Sequence, residues 1–170
     1  MTPEEGAKGP GARQGPESPL PPGALLAALD AAGCGGEPLS IRQRARLPKA
    51  PGAYLILLHL PRGLIFRSGP FRGRALAPGW HVYAGSARGP GGLAARVARH
   101  LRRRKRLRWH VDRVSTRAAA AFALCFPTRG ECDLVSRLLM QGAFAPSLPG
   151  FGASDCATCP AHMLWWTKGA

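Results

Sequence analysis

The segment Tyr83-Ala84-Gly85-Ser86 closes a short apolar strand, and Leu93-x-x-Arg96-x-x-x-His100 follows it. These are the parts of a phosphate-handling site. A planar guanidinium such as Arg96 holds two phosphate oxygens at once. His100, one helical turn on, can donate a hydrogen bond or relay a proton. Gly85 keeps the strand end open to a phosphate, and Ser86 adds a hydroxyl. A second tyrosine stands upstream in Pro51-Gly52-Ala53-Tyr54. Either tyrosine can position or deprotonate a water. An ordinary phenol titrates near pH ~10, so a base role needs a nearby cation.

The acids are scarce enough that each needs a reason. The chain has 9 of them against 24 lysines and arginines, and beyond Glu37 only Asp112, Glu131, Asp133 and Asp155 occur. On a helical wheel Glu131 shares a face with Leu134, Val135 and Leu138, so it points at the protein body. A carboxylate there needs a cation or donors. Thr128-x-x-Glu131 is also a capping box. On the residues alone a cation partner and a helix cap both stand, and the two can coexist. Asp133 falls on the opposite, solvated face. His110 and Asp112 either complete the site or, as we favour, brace a short helix against the Arg96 helix. Cys156-x-x-Cys159-x-x-His162 has zinc-like ligand types. A closed site needs a fourth ligand, from Cys132, Cys125 or His110. The competing reading is small thiols beside a tight loop.

The elements that must position these residues follow from hydropathy. Residues 1–48 read as a Pro/Gly-rich disordered tail, with a helical turn or two at residues 23–30. The folded domain spans 49–168. Tyr54–Leu60 is a continuous apolar run, hence a central strand buried on both faces. Residues 64–66 return as its hairpin partner after a Pro-Arg-Gly turn, and Trp80–Tyr83 is a third strand. Helices are expected over 91–104, 107–115 and 128–141. Strands are expected over 118–126 and, at an edge, 163–166. Residues 142–160 read as loop. The fold class is α/β (α+β): a small, mostly antiparallel sheet of three to five strands flanked by helices.

The bulk composition narrows the partner. A chain of 170 residues with net charge +15 calls for a polyanion, most often nucleic acid. Arg102–Arg108 is a basic run directly after the Arg96 helix. With Arg99 it forms a backbone-binding rim comprising Arg103, Arg104, Lys105, Arg106 and Arg108. Trp80 and Trp109 can stack on bases, but core packing is the favoured role. The apolar runs are too short to span a bilayer. Five cysteines without a secretory leader point to a reducing cytoplasm.

Taken in order, Gly52-Ala53-Tyr54, Tyr83-Ala84-Gly85, Arg96 with His100, and Glu131 resemble the GIY-YIG nuclease superfamily. Three further pieces resemble a little-characterised prokaryotic branch, found alone or joined to endonuclease III-type repair enzymes. They are Tyr83-x-Gly-Ser-Ala with Gly-Gly-Leu-x-x-Arg96-x-x-x-His100, Arg108-Trp109-His110-x-Asp112, and Phe151-Gly-x-Ser-Asp155-Cys156 with Cys159 and His162. The resemblance covers about residues 51–166. It implies a DNA endonuclease dependent on Mg²⁺ or Mn²⁺, acting in repair or recombination, with RNA or a repair protein as further partners. It makes Glu131 the metal ligand and places Tyr54, Tyr83, Arg96 and His100 in the site. Two departures stand out: alanine is the middle residue of both tyrosine motifs, and the asparagine that several members carry after the glutamate is absent. The alternatives are a non-catalytic nucleic-acid-binding module on the same scaffold, and a zinc-stabilised RNA- or ribosome-associated protein.

Overall fold

The computed structural model describes residues 18–169. In chain order the elements are α1 (Gly23–Ala31), a 3₁₀ turn (Ile41–Arg46), β1 (Gly52–Leu60), β2 (Leu64–Ile65), β3 (Ala75–Leu76) and β4 (Gly79–Ala87). Then come α2 (Gly92–Leu101), α3 (His110–Ser115), β5 (Ala120–Phe126), α4 (Glu131–Gln141), β6 (Phe144–Pro146), β7 (Met163–Trp166) and a terminal 3₁₀ turn. Five strands form one antiparallel sheet in the order β5-β1-β4-β7-β6, and β2 and β3 form a separate two-stranded sheet. This is the mixed α/β class expected.

β1 shows why an unbroken apolar run must be central. Alternate side chains point to opposite faces of a strand, and both faces are covered here. Ala53, Leu55 and Leu57 join a core with α1 and α4 through Leu25, Leu29, Leu134, Val135 and Leu138. Tyr54, Ile56 and Leu58 join a second core with α2 and α3 through Leu93, Val97, Leu101, Val111 and Val114. Sheet and helices make three layers, with Tyr54 on the α2 face.

Several expectations change. The tail expected to residue 48 lies in part outside the described residues, but from α1 to Leu47 the chain is anchored on the domain by buried Leu25, Leu29, Leu39 and Leu47. Leu25 and Leu29 of α1 are fully buried, and burial of each contributes about 1.5–3 kcal/mol. Leu39 bridges Ala123 on β5. Residues 64–66 do not pair with β1; they pair with β3 instead, leaving β4 as the antiparallel neighbour of β1. β7 is not an edge strand, because β6, drawn from the expected loop, lies outside it. α4 begins at Glu131, with Gly130 at its N-cap and no side-chain cap. The Thr128 capping box therefore does not form.

Candidate active site and metal centre

The register of β1 and β4 sets the centre of the site. Tyr54 lies directly opposite Gly85, and Tyr83 opposite Ile56. The Tyr54 ring crosses over Gly85, where a Cβ would fall 2.6 Å from Tyr54 Cζ. Gly152 plays the same part for the other tyrosine. Its φ is +73°, and a Cβ there would sit 2.7 Å from Tyr83 Cε2. Two glycines thus leave room for two rings, whose centroids lie 6.5 Å apart.

These rings floor a cleft of about 490 Å³ lined also by Gly85, Ser86, Arg96, His100, Arg108 and Glu131. Tyr54, Tyr83, Arg96 and His100 come from β1, β4 and α2. Glu131, at the first position of α4, comes from the opposite layer. Half-buried, it forms no ion pair among the described residues. With the capping box absent, its carboxylate is left to face the cleft.

The proton chemistry is set by burial. Tyr54 Oη is 2.9 Å from His100 Nε2. Burial pushes the Tyr54 hydroxyl well above its ordinary pKa, with the Tyr83 hydroxyl adding to the rise and Arg96 opposing it. Burial likewise pushes Tyr83 up to about 12, again against Arg96. Both are therefore neutral phenols at physiological pH. His100 is also held neutral, because burial lowers its pKa more than nearby Asp112 raises it. His100 Nδ1 lies 3.7 Å from Asp112 Oδ1, an approach that becomes an ion pair only when the imidazole is protonated.

Asp112 does what its sequence context suggested and braces the helices. Fully buried, it accepts from Arg99 Nη1 and Nη2 at 2.9 Å each and from the backbone N–H groups of Arg108 at 2.8 Å and Trp109 at 3.0 Å. Lys105 Nζ is 3.4 Å from it and also donates to the His100 carbonyl and Ser115 Oγ. Burial alone would raise the Asp112 pKa, but His100, Arg99 and the two backbone donors hold it far below the usual carboxylate range. Arg99 and Lys105 are thereby committed to the scaffold, which corrects their place in the expected phosphate-binding rim. Arg103 lies away from the cleft, beside Leu101 and Ser115. Arg104 and Arg106 are exposed, and Arg108 reaches the cleft wall. Trp80 is buried in the core, as expected. Trp109 packs against Arg96 and Arg99, whose Cζ atoms stand 4.5 and 4.1 Å from its ring centre. It therefore fixes the rise of Arg96 into the cleft.

A second cluster borders the same cleft. Cys132, Cys156, Cys159 and His162 offer ligand atoms that all lie within 4.8 Å of one another, a Cys₃His set able to bind a metal such as zinc. Cys132 is the fourth member of the set, whereas Cys125 and His110 stand apart from it. The thiols are unequal. The Thr158 hydroxyl draws Cys156 down to about 5, while burial drives Cys159 up to about 12. Nothing in the spacing of Cys132 marked it out, because it reaches the cluster only through the fold. Asp155 lies on the cleft rim, taking a hydrogen bond from Ser154.

Residues 53–170 match a family model described as a domain of unknown function, DUF123. The chain belongs to this family. The DUF123 match takes in every residue of the cleft and of the Cys₃His set, and leaves out α1. No curated protein and no solved structure matches the chain. None of the described helices is long and apolar enough to cross a membrane.

Proposed function

We propose that the cleft binds a nucleic-acid phosphodiester and hydrolyses it with a divalent cation, Mg²⁺ or Mn²⁺, as a DNA endonuclease of the GIY-YIG kind. The observation that carries this reading is convergence. Tyr54, Tyr83, Arg96, His100 and Glu131, separated by up to 77 residues in sequence, line one concave surface. A scaffold that merely bound nucleic acid would not need a buried tyrosine–histidine pair facing an unpaired carboxylate.

The donor set fits a hard cation. Mg²⁺ takes oxygen ligands, needs only one or two carboxylates and keeps several waters. Glu131 offers one carboxylate free of any cap or ion pair, on a cleft with room for water. When bound there, such an ion neutralises charge building on the phosphate and lowers the pKa of water.

The side chains supply the rest. Arg96, held by stacking on Trp109, pairs with phosphate oxygens. Tyr54 is too basic to act as a phenolate at neutral pH. It works instead as a relay: its oxygen accepts a proton from the attacking water as its own proton passes to His100 Nε2. Asp112 sits behind His100 to favour the imidazolium that results. Tyr83 steadies the water or the phosphate by a hydrogen bond. Arg108, with Arg104 and Arg106 beyond it, holds the flanking backbone and makes binding salt-sensitive.

Cleavage of nicked, branched and supercoiled DNA with Mg²⁺ or Mn²⁺ tests the proposal. Glu131→Gln should abolish cleavage while leaving salt-sensitive DNA binding intact, and chelator should do the same to the native chain. Equal cleavage by both proteins would remove Glu131 from the mechanism. Tight binding without cleavage of any DNA or RNA would select the binding-module alternative.

A further inference from the structure

We infer that Cys132, Cys156, Cys159 and His162 hold a zinc ion, and that this ion is a clamp that fixes Glu131 in the cleft. The first half rests on the Cys₃His geometry alone; the second rests also on the proposed function.

The spacing matches a tetrahedral site. Zinc–sulfur bonds of about 2.3 Å put thiolates at the corners of a tetrahedron about 3.8 Å apart, and a zinc–nitrogen bond near 2.0 Å gives about 3.5 Å between sulfur and nitrogen. Cys132 Sγ lies 3.6 Å from Cys156 Sγ and 3.9 Å from His162 Nε2. The Cys159 N–H donates to Cys156 Sγ at 3.3 Å, a backbone turn that favours a thiolate. Three thiols crowded together without a cation form no strong hydrogen bonds and would be poor packing. With zinc all three sulfurs bind as thiolates: each sulfur still carrying a proton gives it up to solvent as its Zn–S bond forms, and nothing is oxidised. Four protein ligands close the site, which makes it structural.

The placement gives the ion its task. Three ligands lie on the segment from Phe151 to His162, whose base is already fastened: Gly150 N–H donates to Pro160 and His162 N–H to Phe151, and Phe151 is fully buried. Its tip, carrying Asp155 and Cys156, lies on the cleft rim. The fourth ligand is on α4, immediately after Glu131. Among the described residues, Cys132 Sγ makes every hydrogen bond that links the first turn of α4 to this segment. These thiol contacts are weak. Four metal bonds in their place would lock the start of α4, and Glu131 with it, against the far wall of the cleft. A residue that orients a ligand in this way typically affects affinity or activity 10–100-fold.

Metal analysis of the purified full chain tests the first half. About one zinc per chain is expected, retained in Glu131→Gln and Cys125→Ser and lost in Cys156→Ser. Cobalt substitution should give the visible absorption of a tetrahedral thiolate site. A chain without zinc that shows no such cobalt spectrum, or a Cys156→Ser protein that keeps its zinc, overturns the site. Hydrogen exchange tests the clamp: zinc extraction should speed exchange at residues 132–135 and 153–159 at least tenfold, with β1 unchanged. Unaltered exchange there overturns the clamp. With Mg²⁺ restored, the zinc-free chain should cleave DNA at least tenfold more slowly. A zinc-loaded chain that passes the exchange test yet cleaves nothing refutes the nuclease and leaves the clamp standing.

Discussion

Asp112→Asn is the sharpest test of how the helices around the cleft are held. The substitution keeps the shape and removes the charge. In the native chain that charge is fully buried and faces Arg99, Lys105 and two backbone donors. Removing one member of a buried ionic cluster costs about 3–5 kcal/mol, because the partner charges stay behind uncompensated. Arg99 keeps 24% of its side chain in solvent, which lets water repair part of the loss. The expected cost is therefore near the low end, ~3 kcal/mol, or a fall of roughly 6–12 °C in Tm for a domain of this size. The pH dependence separates charge from shape. The folded carboxyl titrates far below its unfolded value of about 3.9. Its contribution is thus complete above that value and declines as pH falls towards the folded pKa. Urea unfolding of both proteins should show a constant gap from pH 8 to 5 that narrows by about 1 kcal/mol at pH 3, since one pKa unit is worth 1.36 kcal/mol. A gap below about 1 kcal/mol at pH 7, or one that persists undiminished at pH 3, would refute the charge-based account.

Other substitutions probe the remaining links. Gly85→Ala puts a methyl against the buried Tyr54 ring, so unfolding stability should drop by about 1–3 kcal/mol and DNA cleavage should fall with it. An unchanged Tm would mean that the ring can swing aside. His81 bonds Ser147 through Nδ1 and the Ala77 carbonyl through Nε2, and burial holds its pKa down. The unfolded chain then binds a proton that the folded chain does not, so stability should fall as pH drops below about 6.5. In His81→Asn the fall from pH 7.5 to 5.5 should be shallower, and an equal slope would refute the assignment. In the basic run, Arg108→Gln should reduce the salt slope of DNA binding by about 0.9, whereas Lys105→Met should lower Tm and leave that slope alone. Reversed results would return Lys105 to the binding rim.

Much of this was legible because it is local. An unbroken apolar run from Tyr54 to Leu60 has no place except mid-sheet, and the wheel of α4 puts Glu131 on its inward side whatever lies opposite. Within the cleft only the Arg96/His100 pair is a short-spacing feature of one element; Tyr54, Tyr83 and Glu131 reach the same cleft from three other elements. What escaped depends on distant partners. α1 looked like part of a tail because Leu25 and Leu29 have little to bury against locally; their partners on α4 lie more than a hundred residues on. Residues 64–66 resembled a hairpin return, yet β4 offers β1 nine paired positions and those residues could offer only three. Cys132 could not be told from Cys125 by spacing. A basic run and the helix before it give no hint that one buried aspartate claims Arg99 and Lys105.

The distribution of acid accounts for how the proposed hydrolytic cleft keeps a carboxylate unpaired. Of the four acids beyond Glu37, Asp112 is consumed by Arg99 and Lys105, and Asp133 by Arg137 one helical turn on. The two that remain without an ion pair among the described residues, Glu131 and Asp155, both border the cleft. In a chain of net charge +15, any carboxylate is surrounded by cations ready to neutralise it. Keeping Glu131 unpaired requires that those cations be directed elsewhere. Arg96 stacks on Trp109, Asp112 holds Arg99, and the Cys₃His set, which has no lysine or arginine, borders the cleft beside Glu131. The basic rim can then draw a polyanion to the mouth of the cleft while its interior keeps one carboxylate free for a cation. A purely nucleic-acid-binding surface would gain from filling that position with a lysine. Lys and Arg at 131 should accordingly tighten DNA binding while abolishing cleavage, and that opposition between affinity and catalysis is the signature of a hydrolytic site built into a basic surface.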